Sequence, residues 1–256
     1  RNAPLTPEFK RYVREHHAEI RRVMHATPNG HPFYIEDRSV FDVTPEERRA
    51  IYEVAWQRGG LQFRATFRDL LVDKAANDTV AEFIRGKIRE VVKNPATAAV
   101  LSDIDHPFAA KRPPIDTNYF ETFNRDNVTL VNLRATPIEC ITPRGIRTRD
   151  GTEYALDAIV FATGFDAMTG PLLRMDIRGR DGLPLREAWR AGPRTYLGLQ
   201  AAGFPNLFTI TGPGSPSVLC NMPVPIEQHV EWITDCIAHL RSRRLTRIEA
   251  TPEAVD

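Results

Sequence analysis

Cysteine is scarce in this 256-residue sequence, with only Cys140, Cys220 and Cys236. An odd number without metal-type spacing suits neither a disulfide framework nor a zinc site, so a reduced cytoplasmic protein is expected. Long apolar runs are missing too. The longest is Ala158-Ile159-Val160-Phe161-Ala162, far short of the ~20 residues a membrane helix needs. No charged segment followed by an apolar stretch opens the chain, so no signal peptide is visible. Charge of one sign is also lacking. The 34 Lys+Arg against 33 Asp+Glu leave a formal charge of +1, which makes no global case for a nucleic-acid partner. Finally, the sequence has neither G-x-G-x-x-G nor a Walker-type P-loop, the two common phosphate-cradling fingerprints.

What is present is ordinary for a globular protein: 42% hydrophobic and 26% charged residues. At ~150 residues per domain the length suits one large or two modest domains. The chain starts at Arg1 and stops just after Thr251-Pro252-Glu253, where a capping threonine, a proline and an acid normally open a helix. A piece of a longer protein is expected.

Residues 1–110 read as helical. Thr6-Pro7-Glu8 opens a helix with Phe9, Tyr12, Val13, Ile20, Val23 and Met24 at helical spacing, closed by the turn signal Pro28-Asn29-Gly30. Thr44-Pro45-Glu46-Glu47 forms a capping box, and Gly59-Gly60 ends that second helix. The stripe Val80, Phe83, Ile84, Ile88, Val91 and Val92 predicts a third helix over 77–94, and Asn94-Pro95 starts a fourth. The pattern changes at Lys111-Arg112-Pro113-Pro114, where two prolines force extended backbone. Short β-type runs follow: 128–133, a hairpin of 138–141 with 145–148, and 152–155. Ile159-Val160-Phe161 lacks polar alternation, as expected of a strand buried on both faces of a parallel sheet. Another β run, 207–210, leads through a Gly/Pro/Ser loop to a helix from Pro225 to about Leu240. Helices, a hairpin and buried strands together suggest an α/β fold with a helical insertion.

Three segments could carry chemistry. Ala162-Thr163-Gly164-Phe165-Asp166 is either a core strand ending in a glycine turn or a place where backbone closely approaches a ligand beyond a strand's carboxyl end. Gly212-Pro213-Gly214-Ser215-Pro216-Ser217 is either a plain loop or the approach to a helix start. The free N–H groups of such a start favour electron-rich groups, such as the pyrimidine end of a reduced flavin. Lys111-Arg112 is either solvated surface or a fixed pair of cations, Arg112 for an oxyanion and Lys111 for a phosphate. His16, His17, His25 and His31 lack a carboxylate at fixed spacing and are expected on helix surfaces, so no metal site is assigned. Cys220 has no nearby histidine to act as base.

The residues themselves resemble a known family. Ile159 through Ala167 is similar to the late ATG-type segment of flavin monooxygenases. The stretch from Phe204 through Gly212–Ser217 to Asn221-Met222, followed by Ile226-Glu227-Gln228-His229-Val230, resembles the class B Baeyer–Villiger monooxygenases, especially the phenylacetone and cyclohexanone monooxygenase group. Ala110-Lys111-Arg112-Pro113, Asn118-Tyr119-Phe120 and the helical segments 48–60 and 73–89 match the same group. The resemblance implies FAD and NADPH as cofactors, held on two Rossmann-like domains with a helical insertion. It implies insertion of one oxygen atom from dioxygen into a ketone, giving an ester or lactone through a peroxyflavin. Arg112 then holds the place of the catalytic arginine that stabilises the peroxide and meets the nicotinamide, and Lys111 falls at an NADP contact. Met222 falls at a backbone contact to the flavin ring, and Asn221 and Gly164 join it as cofactor-binding residues. The amino-terminal and NADP-domain glycine motifs and the FxGxxxHxxxWP-type signature of the family are missing. The expected division is therefore 1–110 as the helical insertion of the NADP domain, 111–165 as that domain's returning half, and 166–256 as the returning part of the FAD domain. Two alternatives stand beside this reading: an N-hydroxylating or sulfoxidising flavin monooxygenase, and an inactive truncated homologue.

Overall fold

A computed structural model describes residues 4–215 and 220–255. In chain order the helices begin with α1 (Pro7–Glu15), α2 (His17–Ala26), α3 (Pro45–Arg58), α4 (Lys74–Val91), α5 (Pro95–Ser102) and the single turn α6 (Tyr119–Thr122). Strands β1 (Ile138–Thr142), β2 (Gly145–Thr148) and β3 (Glu153–Ala155) follow, and then α7 (Gly170–Arg174), α8 (Leu185–Ala188) and α9 (Pro223–Arg243). The chain divides into two compact units. One is built on Tyr34–Thr163; the other joins Glu8–Phe33 to the chain from Gly164 onward. The first two helices are thus grouped with the later part of the chain, and α3 to α6 with the hairpin.

Local chemistry explains the first unit's helices. At α3 the Thr44 hydroxyl accepts from the Glu47 N–H at 3.2 Å while the Glu47 carboxylate accepts from the Thr44 N–H at 2.9 Å, a complete capping box. Gly59 closes the helix at φ 71°, a conformation that glycine adopts without a Cβ penalty. Asp73 and Asn94 cap α4 and α5 through their side-chain oxygens. The apolar stripe of α4 packs as its spacing predicts: Val80 joins Tyr52, Phe67 and Leu70 in one core cluster, and Ile88 joins Val92 and Ala98 in another. Replacing Thr44 with Ala should lower the unfolding free energy by about 1 kcal/mol, measurable by urea titration; an unchanged midpoint would mean α3 is held by packing alone.

The strands are where expectation and structure part. The hairpin forms as expected, with β1–β2–β3 an antiparallel three-stranded sheet. Residues 128–133 and 207–210 are not strands. Ile159-Val160-Phe161 is not one either, and it is not buried: Val160 is 87% and Phe161 71% exposed. No described segment pairs with it, and a strand without a partner has no ladder to satisfy its backbone. His31 departs too, lying buried in the turn after α2 with its ring stacked on Phe33 at 5.1 Å. The last Thr-Pro-Glu opens only a 3₁₀ turn over Pro252–Ala254. In the second unit, Leu185, Trp189, Ala201 and Phe204 form the core.

Candidate cofactor and catalytic site

In the first unit the approach to Lys111-Arg112 is set by α4. The buried Asn77 donates from Nδ2 to the Leu70 carbonyl at 2.7 Å and the Phe108 carbonyl at 3.0 Å, and its Oδ1 accepts from the Phe108 N–H at 2.8 Å. Phe108 is thus gripped at both backbone groups, as a strand partner would grip it. Ala109 then turns at φ 64°, and the Ala110 N–H closes on the Pro107 carbonyl at 3.1 Å. The chain emerges with Lys111 and Arg112 exposed, before Pro113-Pro114. Upstream, Asp105 meets the His106 ring at 2.9 Å and Arg134 at 2.7 Å. The His106 hydrogen bond, then the charges of Arg134 and Lys111, hold the Asp105 carboxyl below its ordinary range.

Gly164, Asn221 and Met222 belong to the second unit, and Lys111 and Arg112 to the first. Gly164 adopts φ 87° with open space where a Cβ would stand, and Phe165 beside it is 99% exposed. Gly212 has a different reason for being glycine. A Cβ there would lie 2.6 Å from the Gly198 carbonyl oxygen, while one on Gly198 would lie 2.8 Å from the Gly212 oxygen. The Gly212 N–H donates to the Gly198 carbonyl at 3.1 Å, so close packing of two loops, not approach to a ligand, requires this pair. Pro216 and Ser217 lie outside the described residues.

The long helix α9 begins at Pro223, two residues before the expected start, and it offers fewer donors than a typical helix end. An α-helix leaves its first four N–H groups unpaired. Here Pro223 and Pro225 have none, and the Val224 N–H donates to the Asn221 carbonyl at 3.0 Å. One donor is left. The hydrogen bonds among the described residues give the Met222 N–H no acceptor, and no acid sits in the first turn. Asn221 is tied to the turn after α2: its N–H donates to the Asn29 carbonyl at 2.9 Å and its side-chain amide to the Gly30 carbonyl at 2.8 Å.

His229, on the same helix, is a residue that the motif contained but whose task the sequence did not disclose. It is buried, and its Nδ1 accepts from the Thr211 N–H at 3.0 Å, holding Thr211 at φ 50°. Burial lowers its pKa below the usual 6.5. A histidine kept neutral in the folded state takes up its proton more readily when unfolded, so stability is full above pH 6.5 and declines as pH falls through and below it. His229→Asn, which keeps an acceptor near the Nδ1 position, should flatten that part of the profile. A decline of unchanged steepness in thermal unfolding between pH 7 and 5 would exclude His229 as its source.

No protein-family model matches the chain. Individual proteins do. A Baeyer–Villiger monooxygenase from Pseudooceanicola batsensis is 46% identical over 216 residues, covering 83% of this chain and 39% of its own length. The crystal structure of OTEMO in complex with FAD and NADP superposes with a TM-score of 0.95 at 43% identity, covering 99% of this chain and 47% of that one. The chain is homologous to part of the Baeyer–Villiger monooxygenases. Phenazine N-monooxygenase PhzNO1 from Lysobacter antibioticus is also similar, at 44% identity over 218 residues, 84% of this chain and 40% of that protein. The chain spans less than half the length of these relatives. It shares the α/β fold of solved flavin monooxygenases in this group. Among the described residues no helix is long and apolar enough to cross a membrane, and no group of three His, Cys, Asp or Glu side chains could hold a metal ion.

Proposed function

We propose that this chain is the middle-to-late part of an FAD- and NADPH-dependent Baeyer–Villiger monooxygenase, which inserts one oxygen atom from dioxygen into a ketone to give an ester or lactone. The other oxygen atom leaves as water, with NADPH supplying two electrons. The observation that carries this reading is the likeness over 99% of the chain to a structure that holds both FAD and NADP. In this reading 1–110 belong to the helical insertion of the NADP domain, 111–165 to the returning half of that domain and 166–256 to the returning part of the FAD domain.

The chain's own residues fit both cofactors. Bound FAD would supply the redox chemistry and the activation of dioxygen. The Met222 N–H, unspent among the described residues, suits the electron-rich pyrimidine end of the flavin ring, because a donor there stabilises added negative charge. Gly164, with φ 87° and no neighbour over its Cα, leaves room for a cofactor to lie against backbone. Lys111 supplies a compact positive charge for an NADP phosphate. Arg112 supplies a permanent, planar set of donors for oxygen-centred negative charge and for the nicotinamide. The pyrophosphate cradles, which need glycine-rich motifs, are not in this sequence.

The likeness to a phenazine N-monooxygenase favours a second reading, oxygenation at nitrogen on the same scaffold. Product analysis of the full-length protein with a cyclic ketone, an aryl ketone and an aromatic amine separates the two. Ester or lactone formation is expected. Turnover of the amine alone would replace the first reading with the second, and an absence of bound flavin in the full-length protein would remove both.

A further inference from the structure

The start of α9 is held by a part of the chain almost two hundred residues away. After α2 the backbone makes a tight turn in which the Gly30 N–H donates to the Thr27 carbonyl at 3.1 Å and the Thr27 hydroxyl donates to the His31 carbonyl at 2.8 Å. The turn presents the carbonyls of Asn29 and Gly30 side by side. Asn221 takes both, one with its backbone N–H and one with its side-chain amide. Its own carbonyl accepts the Val224 N–H. All three of these Asn221 groups are thus committed, and the peptide that carries the Met222 N–H is fixed in direction.

Gly30 makes the fit possible. It sits at φ 66°, and a Cβ there would lie 3.0 Å from Val224 Cβ, in the first turn of α9. Any larger residue would push the turn off the helix start and be strained as well. One turn further along, Arg21 of α2 grips Glu227 with both terminal nitrogens, at 2.8 and 3.3 Å. That exposed pair adds little energy but keeps α2 and α9 in register.

We propose that the Thr27–His31 turn is a positioning latch: through Asn221 it aims the Met222 N–H, which among the described residues is the one unspent donor at the start of α9, at the flavin ring. This rests on the flavin contact proposed above. It also gives Asn221 a positioning task, through its N–H and its side-chain amide on the turn.

The test is the midpoint potential of the bound flavin in the full-length, FAD-loaded protein, measured by reductive titration against a dye of known potential. A donor aligned with the ring's pyrimidine end favours the reduced form, so a misaligned one should weaken that preference about tenfold, a fall of about 30 mV for a two-electron couple. Gly30→Ala and Asn221→Ala should each show this fall with FAD occupancy retained. Gly30→Ala combined with Val224→Ala, which removes the side chain that the new methyl meets, should recover most of it. Leu185→Ala, in the unit's separate core cluster, should lower the melting temperature and leave the potential unchanged. If Gly30→Ala does not fold, Thr27→Val loosens the turn without adding bulk and should shift the potential in the same direction. A wild-type potential in folded Gly30→Ala and Asn221→Ala overturns the latch. A wild-type full-length protein without bound flavin instead overturns the functional reading on which it rests.

Discussion

Replacing Arg112 with Ala in the full-length protein should leave FAD bound and reduce ester formation from a ketone by at least about a hundredfold. The magnitude follows from the worth of one well-placed donor opposite developing negative charge in a water-poor site, typically 10² to 10³ in rate. Arg112 fits that task by its chemistry and its setting. Its guanidinium presents a planar fork of donors, and the chain on both sides of it is constrained, by the Phe108 clamp and the Ala109 turn before it and by Pro113-Pro114 after it. Arg112→Lys should recover little, because a single ammonium cannot reproduce a planar fork of donors. NADPH should still be consumed by the Ala variant, more slowly and without ester, so the ratio of ester formed to NADPH oxidised is the decisive measurement. A normal ratio and rate would remove Arg112 from the reaction.

The second large effect concerns stability. Asn77→Ala should destabilise the protein by about 3 kcal/mol, because it strands the Leu70 carbonyl and both backbone groups of Phe108 and leaves a small void. Asn77→Asp should cost at least as much, although it is isosteric. Its carboxylate could still accept from the Phe108 N–H, but it would face the two carbonyls with lone pairs where the amide donates, and the charge would be buried without a partner. Hydrogen exchange supplies a local readout. The Phe108 amide should lose protection in Asn77→Ala far more than amides of α5, and uniform loss across the unit would indicate a general packing defect.

These two predictions differ in how far the sequence alone reaches. Lys111 and Arg112 stand out as adjacent cations before two prolines, and the family resemblance places them. Asn77 gives no such sign. It is one polar residue in an amphipathic helix, and only the return of residues 105–110 against α4 turns it into a clamp. His229 and Asn221 are similar: both lie in recognisable motif segments, yet their partners, Thr211 and the Asn29–Gly30 turn, are 18 and 191 or more positions away.

The same divide runs through the fold. Helix boundaries at Thr44, Gly59 and Asn94 were legible, because a helix closes its hydrogen bonds within a few residues and its caps lie beside it. So was the β1–β2 hairpin, whose two strands are joined by a short turn. The runs at 128–133, 159–161 and 207–210 carry strand composition without being strands, because composition cannot provide the neighbour that a ladder requires. By itself, the sequence determined the local elements, the family likeness and the identity of the two cations. Tertiary structure alone decided that α1 and α2 join the second unit, that Gly212 serves loop packing, and that, among the described residues, one N–H is left at the start of α9. The reason is range: local elements are set by contacts within a few residues, while the site is set by backbone groups that only folding brings together.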